Sequence, residues 1–453
     1  MQCANIAANH VLNFIVIGDE IWIWNYDHQG LIGVGGFNFV QDLPRFLVLL
    51  YALQRFNLED WGRNPAFKPQ PNGDDVTVKV DDTELTLKES VIDTRLVLKG
   101  RGTGVVDVTC ENLELEKPPE EAEGGMVAKI YWAEEARTSE ETILDKVKEV
   151  AGNDEAVRGH VPILLLAKKF PVSTSTIRKA LGLDDPDKGS RTLFLLVFKK
   201  LSPIEELQGD ELFDAWRQCV LCHYILWKAG IYHRDVSCEN LMYYRVDSNV
   251  VGVLNDYDLA SLAREDNPLG NERNGTTPYM AIDLLRADGQ AGNVKHIYRH
   301  DMESFIWVFI WISIQYKDGK LRDRGPLDAF AKVDARGCVK EKRNFLADPQ
   351  AYCDIPGRVY GLVIFLGRQQ HPREDTRSEL QAAKTALRES LADLAPDVSR
   401  IAELEQEIAK HELDLEEKSD DAVFTEFAKQ IRVETASVDT IISRSSKLEP
   451  EDK

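Results

Sequence analysis

The sequence is short of positive charge. Its 55 lysine and arginine residues face 76 aspartates and glutamates, for a formal net charge of −21. A field of that sign disfavours general binding to nucleic acid or to an anionic membrane, so an anionic ligand needs a local site of cations or backbone N–H groups. Cysteine is also scarce: the seven residues are odd in number and scattered, which argues against a disulfide framework and for a reducing compartment. Cys219-Val220-Leu221-Cys222 is a close pair inside an apolar helical run, with no second pair at a useful distance. A pair of buried helix residues is expected there, not a zinc or redox site. Long apolar runs are missing. Phe305 to Ile314 falls well short of the ~20 residues that span a bilayer and reads as a buried core helix. Met1 to Phe14 lacks the basic-then-apolar order of a signal peptide. These absences predict an intracellular protein; no basic cluster decides between cytoplasm and nucleus.

What is present centres on Ile231-Tyr232-His233-Arg234-Asp235-Val236-Ser237-Cys238-Glu239-Asn240. It contains His-Arg-Asp, four residues, then Asn, the pattern of a phosphoryl-transfer catalytic loop. Such chemistry needs a carboxylate to hold and deprotonate the acceptor hydroxyl, and oxygen ligands to hold magnesium against the phosphates. Asp235 suits the first role and Asn240 the second. A three-residue string also arises by chance in a helix-to-strand turn, so the rest of the chain has to decide.

With 453 residues, 43% hydrophobic and 29% charged, the chain has the composition of a soluble globular protein of roughly two to three domains. Residues 13–40 alternate around turns and predict short antiparallel strands. Phe46 to Phe56 predicts a helix, and Val76 to Leu87 a hairpin about Asp81-Asp82. Leu96 to Lys99 is a strand running into Gly100, Gly102 and Gly104. Glycines there let backbone N–H groups approach phosphate, although a plain hairpin turn has the same composition. Residues 111–125 are acidic and loop-like, a solvated insertion or an acidic docking site. Met126 to Trp132 resumes as a strand, with Lys129 among apolar neighbours. Snorkelling to the surface would explain it; so would a lysine holding the ATP α- and β-phosphates. The latter requires an acidic partner on the next helix, which opens Ser139-Glu140-Glu141. Glu140 is the first choice and Glu141 the second.

Strand-length runs at Val161 to Ala167 and Thr192 to Phe198 complete a small sheet, and Lys199 to Gly209 is a hinge-like link. Leu212, Trp216, Val220, Tyr224 and Trp227 then recur at helical spacing and deliver the catalytic loop. Val251 to Leu254 is a strand ending in Asn255-Asp256-Tyr257-Asp258, and Asp256 stands sixteen residues after Asn240. A hairpin of that length would bring Asp256 beside Asn240 and Asp235, where magnesium and phosphate could sit; a solvated acidic turn is the alternative. Gly275-Thr276-Thr277-Pro278-Tyr279-Met280-Ala281 suits the close of an activation segment, and His300 to Trp307 opens an apolar helix.

In this order the stretches Gly100-Arg101-Gly102-Thr103, His233 to Asn240, Asn255 to Ala260, Gly275 to Ala281 and His300 to Trp307 resemble the eukaryotic protein-kinase fold. More narrowly they look like the fungal-type protein kinase family, over roughly residues 12–365. The resemblance implies Asp235 as catalytic base, Asn240 and Asp256 as magnesium ligands, and Lys129 on the ATP phosphates, paired with Glu140. Gly100 and Gly102 would cover the phosphates. Asp283 would close the activation segment and Asp301 would anchor the large helix. Two positions depart from the commonest kinase pattern. Asp258 replaces the glycine of Asp-Phe-Gly and should restrict the backbone there. Ser237 replaces a lysine that contacts the γ-phosphate in most serine/threonine kinases. Thr276 and Thr277 are candidate phosphorylation sites, with Arg234 the partner for that charge.

Leu380, Leu387, Leu394, Ile401, Ile408 and Leu415 recur every seventh residue, interrupted by Pro396. This predicts two helices packed as a hairpin, in preference to self-association through 376–417. Residues 436–453 read as a loose tail. The expectation is an α+β, two-lobed kinase: accessory region 1–90, N-lobe 91–200 with insertion 111–125, C-lobe 201–370, and helical extension with tail 371–453. ATP and Mg2+ would be its cofactors and a protein serine or threonine hydroxyl its acceptor. No nucleic acid or membrane partner is expected. A small-molecule phosphotransferase and a pseudokinase scaffold are the alternative readings.

Overall fold

The computed structural model describes residues 7–70, 75–95, 99–110, 125–263, 276–353, 355–392, 398–415 and 418–448. Most of the acidic insertion, residues 96–98 of the strand expected from Leu96 to Lys99, and Gly275 and Leu394 lie outside them. The leading alternation folds as β1 (Val11–Ile17), β2 (Glu20–Asp27) and β3 (Gly30–Asn38), a three-stranded antiparallel sheet. Helix α1 (Leu43–Gln54) follows, with the Asp42 carboxylate accepting the Arg45 N–H at its start.

The larger sheet has seven antiparallel strands, β4 (Phe67–Pro69), β5 (Val76–Val80), β6 (Thr83–Arg95), β7 (Thr103–Thr109), β8 (Met126–Glu134), β9 (Leu164–Ser173) and β10 (Arg191–Lys199). Their order is β4-β5-β6-β7-β8-β10-β9. The boundary expected at residue 90 therefore falls inside β6, and strands of the leading region belong to the same sheet as Lys129. The sheet curls enough for Lys168 on β9 to donate to the Lys79 carbonyl on β5.

Strand alternation sorts β8 into two faces. Ala128, Ile130 and Trp132 enter a core shared with Val76, Val78, Leu85, Leu87 and Val106. Lys129 and Tyr131 face the other way. Tyr131 joins the main core beside Ile143 and Val147 of α2 (Glu140–Asn153). Ser139 caps α2, its hydroxyl accepting the Thr142 N–H at 3.3 Å. Strand β9 leads into the short helix α3 (Ser175–Ala180).

The second lobe is built on α4 (Gly209–Lys228) and α5 (Tyr298–Gln315). Helix α5 is buried along nearly its whole length, which accounts for residues apolar all round its axis. Trp216 of α4 donates its indole N–H to the Phe305 carbonyl at 2.9 Å. Cys219 and Cys222 are buried free thiols of α4. A hairpin of β11 (Leu241–Val246) and β12 (Asn249–Leu254) lies between the two helices in sequence, with Leu241 opposite Leu254.

The heptad stretch forms α6 (Gly357–Ala392) and α7 (Val398–Asp414), which pack against each other. Ala383, Leu404 and His411 are buried there. Two further helices, α8 (Asp420–Gln430) and α9 (Thr435–Ser445), return to the second lobe. Phe424 stacks on Tyr224 with ring centroids 3.6 Å apart, and Val438 and Ile441 are buried. The loose tail expected from residue 436 is thus corrected: its first ten residues are a docked helix, because an apolar stripe at helical spacing finds the surface of α4. No helix among the described residues is long and apolar enough to cross a membrane.

Candidate active site

Lys129 stands on the inward face of β8 and is 7% exposed. A lysine this deep needs carboxylates. Its Nζ donates to Glu140 Oε2 and to Asp256 Oδ1, each at 2.7 Å. Burial would pull the ammonium down, but Asp256 and Glu140 outweigh it and hold it above the ordinary lysine range. Burial lifts the Glu140 carboxyl to about 7 against the pull of Lys129. Asp256 behaves oppositely: burial would raise it, but Lys129, with Arg101 beyond, holds it well below the carboxylate range. The second oxygen of Glu140 accepts the Tyr257 N–H at 3.1 Å. One glutamate at the start of α2 therefore ties together the helix, the lysine strand and the segment after Asp256. The carboxylate meeting Lys129 is that of Glu140, the first of the two candidates.

The loop from His233 to Asn240 is fixed from below. His233 Nε2–H donates to the Asn255 carbonyl at 2.9 Å, and the Asp235 N–H points at His233 Nδ1 at 3.4 Å. This is the bonding of a neutral imidazole, and burial holds His233 down to about 4. The Arg234 N–H donates to Asp301 at 3.2 Å, with Arg234 in a left-handed conformation at φ 68°. Asp301 is gripped by His223 at 2.9 Å and His296 at 2.6 Å. Asp301 of α5 thus reaches the His233–Asn240 loop through a backbone bond that sequence alone does not reveal.

The Asn255 N–H donates to the Asn240 carbonyl at 2.8 Å. Asn240 Nδ2 donates to the Asp235 carbonyl at 2.8 Å and to its carboxylate at 3.3 Å, leaving the amide oxygen directed elsewhere. Asp256 occupies φ 61°, a region that aspartate tolerates better than most residues. The Asp256 carboxylate and Asn240 amide are hard oxygen donors of the type magnesium takes. Among the described residues no group of three or more His, Cys, Asp or Glu side chains is placed to hold a metal ion. A cation here would draw its other ligands from phosphate oxygens and water.

Gly100 and Gly102 lie in the connection between β6 and β7, whose ends pair Arg95 with Thr103. Gly102 has φ 48°, and a Cβ there would come within 2.4 Å of the His28 ring. His28 comes from the β2–β3 turn and stacks on Trp132 at 4.7 Å. Its neighbour Asp27 pairs with buried Arg178 of α3, one bond being 2.9 Å. Between the glycines, Arg101 donates to Asp258 Oδ2 at 2.6 Å. Burial opposes the guanidinium charge, but Asp258, with Asp256 and Asp235 behind it, raises Arg101 above its usual range. Neither His28 nor the Arg101–Asp258 pair was singled out from the sequence. The acid in the third position of Asp256-Tyr257-Asp258 was the available signal, since a half-buried carboxylate calls for a cation.

Asp283 accepts from Arg299 at 2.6 Å and from Arg377 of α6 at 2.8 Å. Burial opposes its charge, but His300 and the two arginines hold it far below the carboxylate range. Thr276 and Thr277 are half-buried at the near edge of this segment, and residues 264–275 lie outside the described residues. Arg234 Nη1 is 3.4 Å from Ser261 Oγ, just before that gap. Buried Lys342 donates to the Met280 carbonyl at 2.6 Å.

The family model for fungal protein kinase matches residues 4–193 and 194–313. The chain belongs to the fungal protein kinase family. Its fold is accordingly the two-lobed protein-kinase arrangement, α+β, with a helical region at the C-terminal end. Among curated proteins, the CBL-interacting protein kinase 11 of Oryza sativa subsp. japonica is 26% identical over 202 residues. That match covers 41% of this chain and 37% of the rice protein, so the chain spans little more than a third of that relative. Among solved structures, the kinase PK-1 of Cydia pomonella granulovirus is similar over 58% of this chain and 83% of that one, at 14% identity and a TM-score of 0.36. A fungal protein kinase, as a family member, generally uses ATP and a divalent metal.

Proposed function

We propose that this chain transfers the γ-phosphoryl group of ATP to a serine or threonine hydroxyl of a protein, with Asp235 as catalytic base. The observation that carries the reading is Lys129, held between Glu140 and Asp256 at 2.7 Å, facing a loop in which Asn240 braces Asp235. Lys129 would hold the α- and β-phosphates. Asp256 and Asn240 would hold Mg2+, which when bound neutralises phosphate charge. Asp235 would accept the proton of the acceptor hydroxyl as the acceptor oxygen bonds to the γ-phosphorus and the bond from that phosphorus to the β–γ bridging oxygen breaks, releasing ADP. Gly100 and Gly102 let the backbone close over the phosphates without a Cβ in the way. Phosphorylation at Thr276 or Thr277 would place charge near the segment that Arg234 adjoins. The protein acceptor is supported by the segment Thr276 to Asp283, tied down by Arg299, Arg377 and Lys342, which suits a platform for an extended peptide.

The test is phosphate transfer from Mg-ATP to protein acceptors, and autophosphorylation, in wild type and Asp235→Ala. The expected result is incorporation on serine or threonine that Asp235→Ala lowers by ~100-fold or more. Equal incorporation in both would overturn the enzyme reading, and nucleotide binding without turnover would favour a scaffold. Transfer confined to metabolites would move the acceptor to small molecules.

A further inference from the structure

Among the described residues, the acceptor end of the site is short of cations. Asp258, Asp256 and Asp235 all act on Arg101, Glu140 and Asp256 hold Lys129, and a terminal phosphate would bring more negative charge. Lys129 is already engaged on two of them, at 2.7 Å each. The catalytic loop does little to help. Ser237 is uncharged and 1% exposed. Arg234 extends towards Ser261, and His233 is a buried ring bonded to the Asn255 carbonyl. After Lys129, the cation that acts on Asp256 is on the opposite wall. Arg101 sits between Gly100 and Gly102 and reaches across to Asp258 at 2.6 Å.

The backbone beneath Arg101 is unusually well held for a glycine turn. The Gly100 N–H donates to the His28 carbonyl at 2.9 Å, and the Trp132 N–H donates to the Arg101 carbonyl at 2.6 Å. His28 Nδ1 lies 3.1 Å from the Gly100 carbonyl oxygen. Arg101 is therefore aimed by its backbone, and its side chain is the part left to change partner. A guanidinium matches phosphate oxygens as well as it matches carboxylate, in the same two-pronged geometry.

We propose that Arg101 is the side chain that binds the terminal phosphate of the nucleotide, and that Asp258 is its counter-ion when the nucleotide is absent. This rests on the kinase reading and deepens it. It also accounts for an aspartate at position 258. Without a partner Arg101 would be a lone cation over the cleft, and Asp258 holds it until a stronger anion arrives. Nucleotide and Asp258 then compete for one guanidinium, so removing the carboxylate should favour the nucleotide.

The experiment measures binding of ATP, ADP and AMP to the full chain in Mg2+, for wild type, Arg101→Ala, Arg101→Lys and Asp258→Asn, with thermal melts to confirm folding. Arg101→Ala should weaken ATP about tenfold or more while changing AMP less than twofold, and Arg101→Lys should recover part of the loss. Asp258→Asn should tighten ATP severalfold. Equal weakening of all three nucleotides, or none, by Arg101→Ala would overturn the proposal. So would Asp258→Asn weakening ATP as Arg101→Ala does, which would make the pair a structural latch. If Arg101→Ala does not fold, Arg101→Lys and Asp258→Asn still decide. Wild type that binds no nucleotide would sink the kinase reading as well. Tight wild-type ATP binding with unaltered arginine variants would sink only this inference.

Discussion

His28 holds Gly100 by both of its backbone polar groups: the His28 carbonyl accepts the Gly100 N–H at 2.9 Å, and His28 Nδ1 lies 3.1 Å from the Gly100 carbonyl oxygen. The two residues are 72 positions apart. A turn in the accessory sheet thereby sets the turn that would cover the phosphates. Gln29 adds bonds to the carbonyls of Pro186 at 2.8 Å and Lys188 at 2.9 Å, so the attachment is broad.

His28→Ala should therefore loosen the glycine turn without touching the catalytic loop. Removing the stacked ring and its hydrogen bond should cost about 1–2 kcal/mol of stability. The KM for ATP should rise severalfold, with kcat changed less. Steady-state kinetics over an ATP series checks this, and a fall in kcat at constant KM would contradict it.

Lys129→Met should act on both stability and chemistry. It leaves Glu140 and Asp256 facing each other without the cation between them. Breaking a buried pair in this way typically costs about 3–5 kcal/mol, unless Glu140 takes up a proton, which losing the Lys129 charge that pulls its carboxyl down favours. The loss should accordingly be larger at pH 8 than at pH 6, and phosphoryl transfer should fall by ~100-fold or more at either pH. Denaturant titrations at the two pH values measure the first effect.

The histidines set a pH dependence. Burial holds His28, His233 and His300 each down to about 4 from an ordinary 6.5. Between these values the unfolded chain binds protons that the folded chain refuses. Their contribution to stability is therefore full above about pH 6.5 and falls as pH drops towards 4. Glu140, raised to about 7, works the other way but is a single group. Unfolding free energy should decline from pH 7 to pH 5, and His28→Gln should shallow the slope. A flat profile would show that the three rings are solvated.

The C-terminal helices should be part of the folding unit. Phe424 is fully buried, stacked on Tyr224, and Trp227 and Lys228 of α4 bond Asp420 and Asp421 at 2.8 and 2.9 Å. Phe424→Ala should cost about 3–5 kcal/mol. A single cooperative melt shifted downwards is expected; an unchanged melting temperature would mean that α8 and α9 are not docked in solution.

Much of the site could be read from residue order. The spacing from Asp235 to Asn240, and the hairpin length to Asp256, are local properties of a short loop and two paired strands, so they survive without knowledge of the rest. Lys129 is conspicuous because a charged residue interrupts a run of apolar strand residues. The choice of Glu140 over Glu141 needed only the phase of one helix. The C-terminal end departs from expectation because serines and charges surround its few apolar residues, and the stripe of Val438 and Ile441 has meaning only against a surface. The boundary at 90 cuts through a strand for a similar reason: strands belong to a sheet by backbone hydrogen bonds, which leave little trace in side-chain composition.

The sequence by itself determined the chemistry available: a carboxylate, an amide and a second carboxylate at fixed intervals, and a lysine where none should be. It also determined which residues of β8 and of α2 share a face, because that follows from periods of two and 3.6 residues. Only the tertiary structure decided what stands opposite what. His28 on Gly100, Arg101 on Asp258 and Arg377 on Asp283 join residues between 72 and 157 positions apart. Contacts of that range depend on how sheets and helices pack, and a long, flexible cation such as Arg101 takes whichever carboxylate the packing brings within its reach.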